Sequence, residues 1–485
     1  MGHATSIRLY SIKAKIYCNL NVYILSSCLH HTNLLMKKIA YLLFVLLPVF
    51  THAQVITTIA GVTGTHGYGQ DEIEATMTPL NFPEGVAIDN LGNVYVADYW
   101  NARVRMISPD GIIHAVAGNG SFARTGDGGP ATAAGINFPM SLTFDGLGNL
   151  YIACDSVTDA YTTHYVICCS NIRKVNTAGI ITTIAGVGAI GFNGDGIPAI
   201  GAGFNLITGI AADTSGNVYL NVSDNRIRKI NSAGIISTIA GDGTPGFSGD
   251  GGPAADAIIH NQGGGIALDH SGNIFFSDRY NNRIRKISTA GMITTFAGNA
   301  SFGYSGDGGA VTTAKISGPW GLAFDNDDNL FFSDLANNVI REINNTGIIT
   351  TVAGKGIHGY SGDGGHPDSA EINDVMNVGV DKLGNLYLPD VQNENIRLVS
   401  KIGLATPLVD LVNELWSFKP NPAATKLCVA GECIITELRI SNMLGQTVYT
   451  GGYKGKVVQV DIANLPIGVY FIQINNSEIR KFVKQ

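Results

Sequence analysis

A segment of about twenty residues recurs along the chain, and this repetition constrains the fold more than any other feature. Ile287–Asp307 is the clearest copy, and Ile230–Asp250, Val175–Asp195 and Ile343–Asp363 align with it. Aligning the chain on the G-D-G element gives aspartates that are 55–57 residues apart, with one interval of 68: Asp71, Asp127, Asp195, Asp250, Asp307 and Asp363. A fixed period in this range is typical of solenoids, propellers or repeat arrays.

Each period contains four short segments with the composition of β-strands. In the fifth period these are residues 320–325, 329–334, 339–343 and 348–353, and Asn-, Asp- or Gly-rich turns separate them. Four closely connected antiparallel strands predict one blade of a β-propeller. The first strand of a period recurs six times and ends at an aspartate each time: Asp89, Asp145, Asp213, Asp269, Asp325 and Asp381.

The sixth period lacks its fourth strand, and a spare copy of that strand lies at the other end of the repeats, in residues 55–61. Pairing this N-terminal strand with the sixth period would close the ring and remove exposed sheet edges. The sequence therefore predicts an all-β fold. It consists of a six-bladed β-propeller over residues 54–403, closed by the N-terminal strand, followed by a small C-terminal β-sandwich.

The repeat resembles the NHL-repeat family over about 350 residues. The resemblance rests on a G-N-L-Y-like segment followed by N-x-R-I-R-K-I, as in Gly216–Tyr219 with Asn225–Ile230, and more fully in Asp278–Ile287. The third period departs from the pattern, because Asn221-Val222-Ser223 lacks the aspartate that ends the second strand elsewhere. The resemblance implies the propeller fold but no particular function, because propellers host many functions.

The C-terminal residues 416–485 follow a predicted linker at 404–415 and do not continue the period. They resemble the type A C-terminal sorting domain of the bacterial type IX secretion system, through four elements in order: Phe418–Ala423, Leu438–Gln446, Leu465–Ile474 and Lys481–Gln485. The resemblance implies a β-sandwich that the secretion machinery binds and usually removes. It also implies passage through the periplasm, then secretion or attachment at the outer cell surface. A generic β-sandwich module is the alternative.

The N-terminal region has the pattern of a secretory signal peptide. Met36-Lys37-Lys38 precedes twelve apolar residues and then Thr51-His52-Ala53, so we assign residues 36–53 to the signal. Residues 1–35 are then an upstream extension. Twelve residues are too few to cross the roughly 30 Å hydrocarbon core of a membrane, so no stable transmembrane segment is predicted. Without residues 1–53 the chain has 26 basic and 38 acidic residues, which argues against a nucleic-acid partner.

Five cysteines follow the predicted signal peptide. In an oxidising compartment Cys154 could pair with Cys168 or Cys169, which bracket an insertion in the second period. Cys428 could pair with Cys433 across a predicted hairpin turn at Ala430-Gly431. Free thiols are the alternative. A zinc site is disfavoured because the adjacent pair lacks C-x-x-C spacing.

The G-D-G elements could hold phosphate through backbone N–H groups, could bind calcium, or could be structural. Their recurrence in nearly every period favours a structural role, and each has one acid where a calcium loop carries several. Calcium stays open as the one possible cofactor. Asp98 with Arg103 and Arg105, and Asp278 with Arg283 and Arg285, could act as a catalytic acid and electrophile. They recur at equal positions of the period, so we interpret them as scaffold.

The histidines do not predict a metal site. His114, His164, His260, His270 and His366 fall at unrelated positions of the period. Only His66 and His358 occupy equivalent positions, and with the predicted closure they are expected to face one another. Two histidines alone do not make a zinc site.

The candidate binding residues are those that break the repeat at one end of the predicted channel. Five residues before the first-strand aspartates lie Glu84, Met140, Thr208, Gly264, Trp320 and Met376. We call these six residues the mouth ring, and they have one carboxylate, which favours binding over acid–base catalysis. The second-period insertion should join this face with Tyr161, His164 and Tyr165. A ring that merely plugs the channel is the alternative.

These observations predict a secreted or cell-surface propeller that binds an extracellular protein or glycan through its channel-mouth face. Its second partner is the type IX secretion machinery, through residues 416–485. No catalytic residue and no metal ligand are predicted. The alternatives are an extracellular lyase or hydrolase of propeller architecture, and a structural or adhesive surface protein.

Overall fold

Six antiparallel sheets follow one another along residues 55–400 in a computed structural model of the chain. The structure describes residues 54–155, 170–187, 190–401, 416–419, 425–442, 446–466, 468–475 and 478–484. The predicted upstream extension, signal peptide and linker lie outside these ranges, and the proposed domain boundaries stay predictions.

Each sheet contains the four strands of one period, and we call it a blade. In chain order the strands of blades one to three are Pro83–Ile88, Val94–Asp98, Arg103–Ile107 and Ile112–Ala117; Pro139–Phe144, Leu150–Cys154, Asn171–Val175 and Ile181–Ala185; Ile207–Ala212, Val218–Val222, Arg226–Ile230 and Ile235–Ala240. Two-residue edge strands, Ile73–Glu74 and Ile197–Pro198, extend blades one and three.

Blades four and five repeat the same order, and blade six takes its fourth strand from the N-terminal end of the repeats. Their strands are Ile266–Leu268, Ile274–Asp278, Arg283–Ile287 and Ile293–Ala297; Pro319–Phe324, Leu330–Asp334, Val339–Ile343 and Ile349–Ala353; Gly379–Val380, Leu386–Asp390, Asn395–Ser400 and Val55–Ala60.

The closing strand Val55–Ala60 pairs antiparallel with Asn395–Ser400, with Val55 opposite Ser400. This confirms the predicted closure by the N-terminal strand. The first strand of each blade contacts the first strand of the next, and the first strand of blade six contacts that of blade one. These first strands surround a channel cavity of about 300 Å³.

Short 3-10 helices occur in the loops at one end of the channel. One set precedes the first strands: Ala75–Met77, Ala131–Ala133, Ala199–Gly201, Ala254–Asp256, Val311–Thr313 and Pro367–Ser369. The other set follows the second strands of four blades: Tyr99–Asn101, Arg279–Asn281, Leu335–Asn337 and Val391–Asn393.

The turns at the other end of the channel are fixed by the aspartate after each first strand. In blade five the Asp325 carboxylate accepts hydrogen bonds from the backbone N–H groups of Asp327 and Asn329, both at 2.9 Å. Aspartate is favoured in such turns because its side chain accepts bonds from the backbone of the following residues. The aspartate therefore sets where the chain reverses into the second strand.

The apolar core lies between neighbouring blades. For example, Ala211 and Tyr219 of blade three are buried with Ile266 and Phe276 of blade four in one cluster. Alternate residues of each strand point to opposite faces, so every blade contributes to two such layers. Within the described ranges, no helix is long and apolar enough to span a membrane.

The C-terminal residues form a separate five-stranded sheet. Its strands are Trp416–Lys419, Lys426–Asn442, Thr447–Asp461, Gly468–Ile474 and Glu478–Lys484. The hairpin turn predicted at Ala430-Gly431 is wrong, because the strand continues through these residues and shows only an irregularity after Ala430. Cys428 is half-buried and has no disulfide partner among the described side chains. The side chain of Cys433 lies outside the described part, so the pairing stays a prediction.

Candidate ligand-binding site at the channel mouth

The repeated aspartates neutralise buried arginines. Each third strand carries one fully buried arginine: Arg105, Arg173, Arg228, Arg285, Arg341 and Arg397. Each donates from Nη2 to the G-D-G aspartate of the loop before its own blade, at 2.5–2.9 Å. A buried cation must be paired and hydrogen-bonded to be tolerated, so this contact explains why the element recurs.

A second carboxylate contacts the same arginine in four blades. Asp98, Asp278, Asp334 and Asp390 end the second strands and lie 3.1–3.9 Å from a guanidinium nitrogen. The predicted scaffold role of these pairs agrees with this geometry. Cys154 occupies the corresponding position in blade two, and Val222 occupies it in blade three.

An aromatic ring covers the buried arginine in five blades. The ring belongs to the residue three positions before the G-D-G aspartate, and its centroid lies 4.6–5.1 Å from the guanidinium carbon: Tyr68, Phe192, Phe247, Tyr304 and Tyr360. These rings are partly exposed, yet cation–π contact accounts for them as part of the scaffold. They are therefore weaker candidates for a ligand site than residues that break the repeat.

The calcium alternative stays a prediction. The G-D-G carboxylates bind arginines, and no group of three or more His, Cys, Asp or Glu side chains that could hold a metal occurs in the described part of the chain.

The mouth ring is not uniform. Thr208 and Gly264 bind each other, because the Thr208 Oγ1 accepts from the Gly264 N–H and donates to the Gly264 carbonyl, both at 2.9 Å. This contact links blades three and four. Met140 and Met376 are half-buried in the loops or strands that enter their blades. Trp320 is also half-buried and lines the channel cavity.

One side of the mouth combines aromatic rings with a cation. Arg279, at the start of the 3-10 helix Arg279–Asn281, has its guanidinium carbon 4.4 Å from the ring centroid of Trp320 and 5.3 Å from that of Tyr280. The ring of His260 stacks on Tyr280 at 4.8 Å. Burial lowers the pKa of Arg279. We call Arg279, Tyr280 and Trp320 the arginine clamp.

A glycine makes room for this arrangement. Gly263 has φ +121°, and a Cβ atom there would lie 2.9 Å from the Trp320 indole. A positive φ is accessible to glycine without steric cost. The break in the repeat at Gly263 and the presence of Trp320 are therefore two parts of one local structure.

Two acidic side chains, Glu84 and Asp155, lie where blades one and two meet at the mouth. Burial and the nearby Asp155 carboxylate raise the pKa of Glu84 to about 8. The Glu84 Oε2 atom is enclosed and has no hydrogen-bond partner among the described residues. Tyr99 donates from its hydroxyl to Asp155 at 3.0 Å. Glu84 is thus the protonated member of a carboxyl pair at neutral pH.

Sequence reasoning singled out Glu84 and Trp320 but missed Arg279, Asp155 and Tyr99. Arg279 occupies the position that Tyr99 has in blade one and Leu335 has in blade five. A charged residue at a position that is uncharged in those periods is the sequence signal that could have identified it. The predicted contact residues Tyr161, His164 and Tyr165 lie outside the described residues, as do Cys168 and Cys169. Cys154 is buried and has no disulfide partner among the described residues, and burial raises the pKa of its thiol to about 12. Its pairing with Cys168 or Cys169 stays a prediction.

The two equivalent histidines do not face one another, which corrects the prediction. His66 lies 2.7 Å from the Glu394 carboxylate of blade six, and His358 lies 3.0 Å from the Asn338 amide of blade five. Glu394 and Asn338 are themselves equivalent, because both follow the 3-10 helix of their blade with a left-handed backbone. Each histidine therefore makes the same contact one blade apart.

The ring of antiparallel blades defines an all-β propeller protein. Residues 80–105 match the NHL repeat family, and residues 418–485 match the secretion system C-terminal sorting domain. The chain therefore contains an NHL repeat and a type IX secretion system sorting domain, and the sorting domain indicates export to the cell surface or secretion.

Several known proteins are similar in sequence to part of this chain. Teneurin-1 of Gallus gallus is 28% identical over 245 residues, which cover 45% of this chain but 8% of teneurin-1. Protein SUPPRESSOR OF QUENCHING 1, chloroplastic, of Arabidopsis thaliana is 25% identical over 296 residues, which cover 58% of this chain and 26% of that protein. This chain thus spans only a minor part of these relatives.

Solved structures show the same fold. A Bacteroides thetaiotaomicron protein of unknown function has a TM-score of 0.53 at 19% identity, over 72% of this chain and 76% of that one. An auxiliary nutrient binding protein from the same species has a TM-score of 0.51 at 14% identity, over 72% and 76%. At these identities the likeness concerns the fold alone.

Proposed function

We propose that this exported propeller binds an extracellular glycan or protein through its channel-mouth face. The arginine clamp is the observation that carries the proposal, because it concentrates a cation and two aromatic rings beside the channel cavity. Ligand sites combine apolar surface with a few placed polar groups, and aromatic and arginine residues dominate binding energy at interfaces. The buried arginine–aspartate pairs recur in every blade, whereas the arginine clamp occurs once among the described residues.

Replacing Trp320 with alanine is expected to weaken ligand capture at least about tenfold, because aromatic anchors of this kind often contribute 2 kcal/mol or more to binding. The measurement is binding of the full chain to glycan and protein arrays, followed by titration of each captured ligand. Leu91→Ala is the matched control, because Leu91 is 80% exposed and lies in a turn at the other end of the channel.

A melting curve for each variant separates loss of binding from loss of folding. Unchanged capture by a folded Trp320→Ala variant, across every ligand that the wild type binds, would contradict the proposed function.

A second candidate function is an extracellular lyase or hydrolase, and the carboxyl pair of Glu84 and Asp155 favours it. A carboxyl group whose pKa lies near 8 is protonated at neutral pH and can act as a general acid, while a neighbouring carboxylate can act as a base. The pair lies at the same end of the channel as the arginine clamp.

Replacing Glu84 with glutamine is expected to stabilise the protein at pH 8 by about 4 kcal/mol and to have little effect at pH 4. The native pKa of about 8 lies above the ordinary value of 4.5, so the native state holds its proton longer than the unfolded state. Wild-type stability should therefore fall as pH rises from about 5 to 8. Urea unfolding at several pH values measures both effects.

The same variant tests the enzyme. If the protein cleaves any glycan or peptide that it captures, Glu84→Gln should abolish turnover while retaining binding. Absence of cleavage products from every captured ligand with the wild-type protein would count against this second candidate.

A further inference from the structure

We propose that the arginine clamp is a binding site for an acidic glycan, in which Arg279 binds the carboxylate of a uronic acid and Tyr280 contacts its sugar ring. This inference rests on the proposed function and names the ligand class of the same face. It rests on three observations about Arg279. Its side chain has no acceptor among the described residues, two aromatic rings contact its guanidinium, and the equivalent positions of three other blades hold uncharged residues.

Arg279 has no acceptor among the residues that the structure describes. Every other arginine whose side chain the structure describes donates to a carbonyl or carboxylate oxygen: Arg103, Arg105, Arg124, Arg173, Arg226, Arg228, Arg283, Arg285, Arg341, Arg397 and Arg439. The Arg279 side chain has neither a hydrogen bond nor an ion pair, and none of its nitrogens is among the enclosed atoms. Its donors are therefore open to solvent at the mouth, although the residue is only half-exposed.

The site is built before any ligand arrives. Trp320 lies against Gly263, and Tyr280 stacks on His260, so the two rings that contact the guanidinium are themselves held in place. A fixed planar guanidinium loses less conformational entropy on binding than a mobile side chain. The other described 3-10 helices of this set begin with uncharged residues, Tyr99, Leu335 and Val391, so this built cation occurs at one of the four.

The geometry of the clamp selects a carboxylate. Aromatic rings contact the guanidinium at 4.4 and 5.3 Å, so an anion binds best in the guanidinium plane, where paired N–H groups can each donate to one oxygen. The neighbouring Tyr280 ring is 52% exposed and offers a flat apolar face. A uronic acid has both features, a carboxylate at the ring edge and a C–H face that stacks on aromatic rings.

The charge of the protein favours a glycan over an acidic peptide. The chain after residue 53 has 26 basic and 38 acidic residues, so the protein has a net negative charge. This charge repels those parts of a polyanion that do not contact Arg279 directly. At physiological salt this repulsion extends about 8 Å, whereas the contact itself is shorter. A single cation on an acidic protein therefore suits a single carboxylate spaced by neutral sugars better than a run of acidic residues.

The test uses the full chain and isothermal titration with three trisaccharides, each of which carries one glucuronate, galacturonate or mannuronate residue. The same compounds as methyl esters, and an acidic hexapeptide, are the comparison probes. At least one uronate should bind, and its ester should bind at least about tenfold more weakly. Arg279→Gln should weaken the acid form by about the same factor and leave the ester within about twofold.

Lys382→Gln is the control, because it removes the same charge from an exposed turn at the other end of the channel. It should leave uronate affinity within about twofold. Arg279→Lys keeps the charge but not the planar pair of donors, so it should restore only part of the affinity.

Other outcomes overturn the inference in distinguishable ways. Failure to bind all three uronates, or equal affinity for acids and esters, overturns the acidic ligand. Tighter, Arg279-dependent binding of the hexapeptide overturns the glycan. If Trp320→Ala weakens ligand capture but Arg279→Gln leaves the affinity for every uronate unchanged, the inference fails while mouth-face binding stands. If neither substitution changes any binding, both fail.

Discussion

Replacing Arg285 with methionine is expected to lower the free energy of unfolding by about 3–5 kcal/mol, because removing one partner of a buried ion pair leaves the other charge uncompensated. The Arg285 guanidinium is fully buried and lies 3.1 Å from Asp278 and 2.7 Å from Asp250. Burial raises the pKa of Asp278, and the Arg285 charge is one of the contacts that oppose this rise. Urea unfolding at pH 7 measures the loss.

Arg283→Met is the matched control for this variant. Arg283 lies in the same strand, is only partly buried, and donates to one backbone carbonyl, that of Asn281 at 3.1 Å. Its loss should cost about 1.5 kcal/mol, the lower end of the range for a hydrogen bond with a charged partner, because the side chain is only partly buried. Equal losses for the two variants would mean that the buried pair does not stabilise the blade as described.

Replacing Ile56 with aspartate is expected to destabilise the propeller by about 4 kcal/mol or more, because a charge would be buried without a partner. Ile56 is fully buried in a cluster with Val399 and Ile372. Its backbone N–H also donates to the Gly365 carbonyl at 3.1 Å. Release of this strand exposes the edge of Asn395–Ser400, so size-exclusion chromatography should show association through that edge.

Ile56→Val is the control, since it removes one methyl group and should cost about 0.5–1.5 kcal/mol without association. An Ile56→Asp variant that stays monomeric and melts at the wild-type temperature would contradict the described closure of the ring.

The repeated part of the fold could be predicted from the sequence because each period forms the same strands and turns, so the same residue types recur at the same positions. The spare strand pattern at residues 55–61 was enough to predict the partner of Asn395–Ser400. The recurrence of Asp307 and its equivalents likewise favoured a structural role, and their arginine partners lie 33–35 residues later in five of the six blades. A contact that occurs in every blade requires the same pair of residues in every period, and this recurrence is visible in the sequence.

The candidate site could be predicted only in part, because it depends on contacts between different periods. Trp320 was recognised as a break in the repeat, but its partner Arg279 lies in a loop of the preceding blade. The contact of Thr208 with Gly264, 56 residues away, also joins two blades and removes both from the set of free mouth residues. The roles of Glu84 and Trp320 in binding stay predictions.

The closing strand has a consequence for the order in which the molecule is completed. Val55 and Ser400 are 345 residues apart, whereas the other strands of each blade are neighbours along the chain. Blades one to five can form as soon as their own residues are available, but blade six must wait for the first segment to return. The earliest part of the propeller to be synthesised is thus the last to be used. If export holds the chain by the predicted signal at 36–53, the ring stays open until that end is released.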